Sequence, residues 1–422
     1  MSGINRRQFL AGSIATMAAS GLPWARTFAQ AQAGQPERNL VVVFVSGGWD
    51  VTASIDPKPG LTTVDAPPGQ VGLFKNIPVL TGDDRPLVAD FFTRWADVTA
   101  VINGIEVRSI AHEECTKRIL TGTNDASRPD IGAIAASTLG ANLPVPYMVL
   151  GDNAFTGPYG GLTGRAGTSG QFITLLHPDA AYSRQFGGPS PFAPESSEAA
   201  LIKSYVTERA LEHKASVGAG SGGEGARLDD FLRSLSNRDK IKPLLSSVDG
   251  FSSQLEFLPQ IDLAVKVLKE GLSRATLIQH PGSWDTHADN DARQITLIQD
   301  LYGGLNTLLQ RLEEEGLFES TVVVVTSEMS RTPKLNDALG KDHWPITSAL
   351  VIGADVQGGQ VFGGTDDDQN ALPTSLQTGK PGEGAEQKIS SSNFAAGVLD
   401  LVGVDVETHL PDVAALGGFY KG

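Results

Sequence analysis

The stretch 39-NLVVVFVSGGWD-50 decides the fold. Leu40 to Val45 is an unbroken apolar, largely β-branched run, followed at once by Ser46-Gly47-Gly48-Trp49-Asp50. A strand exposed on one face alternates polar with apolar residues, whereas a strand covered on both faces reads as a continuous apolar run. The stretch therefore predicts a buried strand of an α/β sheet, ending in a Gly-rich turn that carries a Trp and an acid. Similar short runs recur at Val98–Ile102, Pro146–Leu150, Ala275–Ile278, Thr321–Val325 and Ala349–Ile352. Helical periodicity lies between them at Ile131–Leu139, Leu228–Leu235, Ile261–Leu272 and Ala292–Leu312. Ser390, Ser391 and Ser392 offer N-caps for a last helix through Leu401. Strands alternating with helices imply a mostly parallel sheet with helices on both faces. Residues 151–225 break the rhythm with 157-GPYGGLTGRAGTSG-170 and 216-SVGAGSGGEGA-226, and read as a Gly-rich insertion or lid.

Among 422 residues, 40% apolar content with 48 Gly and 24 Pro predicts a folded, loop-rich chain. A net charge of -15 argues against a nucleic-acid surface, which needs a basic face. The single Cys115 excludes an intramolecular disulfide. At the N-terminus, Arg6-Arg7 precede Phe9-Leu10, a small-residue apolar stretch to Leu22, and two Ala-Gln-Ala triplets at 29–33. That order predicts a twin-arginine type signal over residues 1–33, with the folded domain over 38–422. It implies export through the twin-arginine machinery to the periplasm or beyond. Neither this stretch nor any later one is long and apolar enough for a permanent membrane span.

Ligands of open α/β sheets bind beyond the carboxyl ends of the strands. Asp50 follows the first strand; His280, Asp285 and His287 follow Ala275–Ile278; Glu328, Arg331, Asp342 and His343 follow Thr321–Val325. Asp, Glu and His are the donors of hard and borderline divalent ions. Each residue also has an ordinary structural reading. Asp50 is a normal turn residue, Asp285 a helix cap, Glu328 and Arg331 a surface ion pair, and Asp342-His343 a loop pair. Recurrence of the same residue types at successive strand ends favours a clustered site. The loop from Glu328 to His343 is then expected to fold back toward Asp50 and Asp285, with Lys334 to Lys341 as ordinary loop. Trp49, Trp284 and Trp344 each adjoin an acid or a His, and a carbohydrate-stacking surface is a third reading.

Three motifs, 40-LVVVFVSGGWD-50, 282-GSWDTHADN-290 and 322-VVVVTSEMSRTPKLNDALGKDHWP-345 with 351-VIGADVQGGQVFGGTD-366, resemble the domain of unknown function 1501 family. Through it they resemble the alkaline phosphatase superfamily, with its sulfatases and cofactor-independent phosphoglycerate mutases. The resemblance implies a three-layer α/β/α sandwich with a mostly parallel central sheet and a metal site for phosphoryl or sulfuryl transfer. It implies metal ligation by Asp50, Asp285, His287, Glu328, Asp342 and His343, with Zn or Mn as the ion and a small anionic ester or cell-envelope ligand as the partner. Met329 stands where the superfamily has a His. The segment 109-SIAHEECTKRILTG-122 resembles the one carrying the nucleophile, with His112 at that position and Ser109 and Cys115 three residues to either side. His112 is expected as nucleophile, metal ligand or general acid, Ser109 as an alternative reacting group, and Arg331 or Arg108 as an oxyanion partner. The implied activity is hydrolysis of phosphate or sulfate esters. The alternative is a binding or assembly protein that retains the fold without the chemistry.

Overall fold

A computed structural model describes residues 38–166, 194–217, 224–241, 256–382 and 387–421. The expected signal segment, residues 1–33, lies outside them. The run that opens the domain forms β1 (Asn39–Val45), buried at every position. Its side chains alternate between two cores. Val41, Val43 and Val45 pack in a cluster with residues of α1 (Pro86–Trp95), α6 (Phe257–Lys269) and α7 (Asn290–Glu314). Leu40, Val42 and Phe44 pack on the other side in a cluster with α2 (His112–Thr121), α3 (Ile131–Leu139) and α8 (Ser391–Leu401). The architecture is thus a three-layer α/β/α sandwich, and β1 is apolar throughout because both its faces are covered.

The central sheet has eight strands in the order β12-β4-β11-β8-β1-β7-β5-β6. In chain order these are β1, β4 (Thr99–Glu106), β5 (Tyr147–Leu150), β6 (Thr163–Arg165), β7 (Ala275–Gln279), β8 (Thr321–Ser327), β11 (Ile346–Ile352) and β12 (Gln360–Gly363). A hairpin, β2 (Gln70–Phe74) with β3 (Ile77–Thr81), stands apart. The sheet pairs in parallel except at β11, which runs antiparallel to both β4 and β8. Register fixes the functional edge. Val45 pairs with Ser327 and Phe44 with Gln279, so β1, β7 and β8 end level with one another. Because β11 is reversed, it begins at the edge where β8 ends, and Ile346 pairs with Glu106 at the end of β4. The connections after β1, β4 and β7, and the one joining β8 to β11, therefore meet at one edge.

The expected insertion is partly sheet. Residues 163–165 pair with β5 as the edge strand β6. Thr-Gly-Arg carries no apolar run, so only pairing with Tyr147–Val149 makes it a strand. Described insertion residues also lie in α4 (Ser196–Val217) and the start of α5 (Glu224–Ile241), two helices that pack on each other. At the other end of the chain, Ser390 caps α8 in a reciprocal box with Asn393. Among the described residues, no helix is long and apolar enough to cross a membrane.

Candidate metal centre

Two glycines shape the edge. Gly47 and Gly48 have φ of +123° and +106°, where side chains are strained. A Cβ on Gly47 would lie 2.5 Å from the backbone N of Asp285, and one on Gly48 2.7 Å from Arg331 Nε. The Gly-Gly turn thus lets the β7 and β8 connections close onto the end of β1. The connection after β8 returns as the expected fold-back: β9 (Ser330–Arg331) pairs antiparallel with β10 (His343–Trp344), placing His343 opposite Arg331.

Three imidazoles converge on Asp285. His343 Nε2 lies 3.2 Å and His287 Nε2 3.1 Å from Asp285 Oδ1, while His112 Nε2 lies 3.6 Å from Oδ2. His287 Nε2 and His343 Nε2 are 3.0 Å apart. Each ring is held from behind through Nδ1. His343 Nδ1 donates to the Ile110 carbonyl at 2.8 Å, His112 Nδ1 to Glu328 Oε1 at 2.8 Å, and His287 Nδ1 to Asp342 Oδ1 at 2.9 Å. A carbonyl or ionised carboxylate only accepts, so all three Nδ1 atoms carry the proton and, in the neutral rings, the Nε2 lone pairs face inward. Donor atoms of His112, Asp285 and His343 lie within 4.8 Å of one another, spacing suited to a metal ion. Asp285 and His287 are about half exposed, so the cluster opens to solvent.

The electrostatics follow from these contacts. Burial opposes ionisation of Asp285, but the Arg331 guanidinium and the His343 and His287 rings outweigh it and hold the carboxyl down at about 2. Hydrogen bonding to Glu328 raises the His112 pKa against the opposing effect of burial. The His287 contact lowers that of Asp342.

The nine expected site residues divide. Seven meet in this network: His112, Asp285, His287, Glu328, Arg331, Asp342 and His343. Asp285, His287 and His343 face inward as expected, and His112 joins them. The other three expected ligands stand one step back, each facing an internal partner. Glu328, 1% exposed, accepts from His112, the Gly47 N–H at 2.7 Å and Ser327 Oγ. Asp342 turns to His287, 55 residues away, rather than to its neighbour His343. Asp50 is fully buried and sits beside the ammonium of Lys341 at 2.9 Å. It lies outside the inward-facing donor set.

Arg331 is likewise not placed to meet a substrate oxyanion, because its side chain is fully buried. Its donors go to the Gly48 carbonyl at 3.2 Å, the Lys341 carbonyl at 3.1 Å and Asp285 Oδ1 at 2.6 Å. It is a positioning residue for Asp285. Ser109 donates its hydroxyl to Glu114 Oε2 at 2.9 Å, and the buried Cys115 thiol, pushed up to about 11 by burial, donates to the Ser109 carbonyl. Asp285 does not cap α7; Asp289 occupies the N-cap position. His280 sits apart, its Nδ1 accepting from Gly282 and Trp284. Trp49 and Trp284 are fully buried and Trp344 donates to the Gln369 carbonyl, which removes the stacking surface.

Sequence reasoning passed over two contributors. The Ile110 carbonyl carried no side-chain signal. Lys341, read as ordinary loop, is fully buried, and only its adjacency to Asp342-His343 hinted at it.

Residues 254–416 match the family model described as a protein of unknown function (DUF1501). The match takes in Asp285, His287, Glu328, Arg331, Asp342 and His343, in agreement with the resemblance drawn from the motifs. Among solved structures the chain is similar to a protein in the alkaline phosphatase superfamily from Vibrio parahaemolyticus, at 9% identity and TM-score 0.39, covering 90% of this chain and 70% of that one. It is similar to the lipoteichoic acid synthase LtaP from Listeria monocytogenes, at 10% identity and TM-score 0.37, covering 90% and 75%. It is also similar to the integral membrane lipooligosaccharide phosphoethanolamine transferase A (EptA) from Neisseria meningitidis, at 12% identity and TM-score 0.42, covering 99% and 66%. No residue role passes across likenesses this distant. No curated protein matches the sequence.

Proposed function

We propose that this chain is an exported, metal-dependent hydrolase of phosphate or sulfate esters. One observation carries the reading: three Nδ1-anchored imidazoles aim Nε2 at one another and at a single carboxylate. Without a cation, two of those nitrogens would face each other 3.0 Å apart as acceptors unless one ring is protonated. The donor set fits a divalent ion on its own chemistry: imidazole nitrogen and carboxylate oxygen, with the outer nitrogens fixed by hydrogen bonds. His112, Asp285 and His343 would hold it, with His287 adjoining, and Zn or Mn suits these donors. Such an ion supplies Lewis-acid stabilisation of charge at a phosphoryl or sulfuryl oxygen.

The chain's own residues do the rest. Glu328 and Asp342 fix the tautomers of His112 and His287, and Arg331 fixes the carboxylate of Asp285. Ser109 is tied to Glu114 and Cys115 is buried, which favours water as the nucleophile. Ile110, 58% exposed, holds His343 through its carbonyl, and Leu339, 62% exposed, bridges Ala288 next to His287; together they favour an ester with an apolar group. The paired Arg6-Arg7 and following segment support export by the twin-arginine machinery to the periplasm. The same tied Ser109 and buried Cys115 are what favour the alternative, a binding or assembly protein that keeps the fold.

Metal analysis of the exported full chain tests the reading, alongside Asp285→Ala and His343→Ala. Stoichiometric metal in the parent, lost in both variants, with turnover of aryl phosphates or sulfates, is the expected result. A metal-free parent sinks the hydrolase reading. Metal without turnover on either ester panel transfers the case to the binding protein.

A further inference from the structure

The site contains more acid than its inward-facing cluster uses. Asp50, Glu328 and Asp342 are all close to it, yet each faces a partner supplied by the chain. The most deeply placed is Asp50, at the end of β1. Its Oδ1 accepts from the Thr52 hydroxyl at 2.6 Å and the Thr52 N–H at 3.2 Å. Its Oδ2 accepts from Asn290 Nδ2 at 2.8 Å and lies 2.9 Å from Lys341 Nζ. A carboxylate offers roughly four lone-pair directions, and four donors now occupy them. Lys341 Nζ also donates to Thr52 Oγ1 at 3.1 Å, and neither charged side chain has any exposed surface. A buried carboxylate that stays ionised is stabilised by a compensating cation. Here that cation is covalently part of the chain.

We propose that the Lys341 ammonium is a built-in cation at the end of β1, occupying the place where Asp50 would otherwise hold a second metal ion. The site therefore takes one exchangeable ion. This rests on the metal-hydrolase reading and narrows it. The same lysine reaches the cluster through its backbone, since its carbonyl accepts from Arg331 Nη1 while Arg331 Nη2 donates to Asp285 Oδ1. That link runs through the Lys341 backbone carbonyl, which substitution of its side chain leaves in place. Glu328 accepts from His112, Gly47 and Ser327, and Asp342 Oδ1 accepts from His287 and Asn336, so both carboxylates back groups of the chain itself.

The test counts ions without reference to turnover. The full chain is stripped with a chelator, titrated with Zn²⁺ and its bound ions counted by native mass spectrometry. The parent is expected to hold one Zn²⁺ per chain. The double variant Asp50→Asn with Lys341→Met, which removes the pair without leaving a lone charge, is expected to hold one as well. Two ions in the parent overturn the proposal while leaving the hydrolase reading standing. A folded double variant that holds none also overturns it, since Asp50 would then be a ligand. No ion in the parent defeats the hydrolase reading itself. If the double variant does not fold, the parent count still decides.

Discussion

The pair of Asp50 and Lys341 makes the sharpest demand on stability. Both side chains are fully buried at 2.9 Å, so neither charge has water to fall back on. Asp50→Asn leaves an ammonium facing the Thr52 hydroxyl and a neutral amide. Lys341→Met leaves a carboxylate with three neutral donors, from Thr52 and Asn290. Removing one partner of a buried pair costs about 3–5 kcal/mol, a large part of a stability of about 5–15 kcal/mol. Removing both replaces the pair by groups of similar volume, and the expected cost falls to about 2 kcal/mol. The three variants thus form a cycle in which the double change costs several kcal/mol less than the sum of the singles. Urea unfolding reads it, followed by fluorescence of the buried Trp49 and Trp284, with the slope checked for constancy. Single variants within about 1 kcal/mol of the parent would place both charges in solvent. A double variant as unstable as the summed singles would show that the two groups do not act on each other. Either outcome refutes the fixed-cation argument.

Three further outcomes are expected. Glu328→Gln removes the charge behind His112, so the His112 pKa followed by NMR moves down, and Zn²⁺ affinity falls roughly tenfold or more; unchanged values would detach Glu328 from the ring. Burial raises the Asp130 carboxyl to about 6, above its ordinary 3.8, despite N–H bonds from Ala133 and Phe155. A folded-state pKa raised in this way contributes stability that is complete below pH 3.8 and is lost as pH rises through about 6. The loss is up to about 3 kcal/mol, and Asp130→Asn should flatten that part of the unfolding profile; an unflattened profile assigns the slope to another group. Ile110→Ser with Leu339→Ser is expected to raise KM for aryl esters several-fold with kcat little changed, and an equal effect on small polar esters would discount apolar recognition.

The strands that carry the site were readable because both their faces are covered. β1, β7 and β8 announce themselves as apolar runs, and the polar residues just beyond them stand out against that background. Helices α3 and α7 were equally legible from their periodicity. The edge strand β6 was not, because Thr163–Arg165 has no apolar signature and becomes a strand only by pairing with β5. For the site, residue types at strand ends gave a neighbourhood but not roles. His112, Asp285, His287 and His343 look alike in a sequence whether they face inward or back a neighbour.

By itself, the sequence determined the sandwich, the sheet edge where the acids and histidines gather and seven of the residues that meet there. Burial pattern is a local property, written in which residues repeat and how often. Tertiary structure alone decided which carboxylates remain available. Asp342 serves a histidine 55 residues away, and Asp50 meets a lysine of the connection between β8 and β11. Whether an acid binds an ion or balances an internal charge depends on which donors reach it through space, and spacing along the chain does not encode that distance.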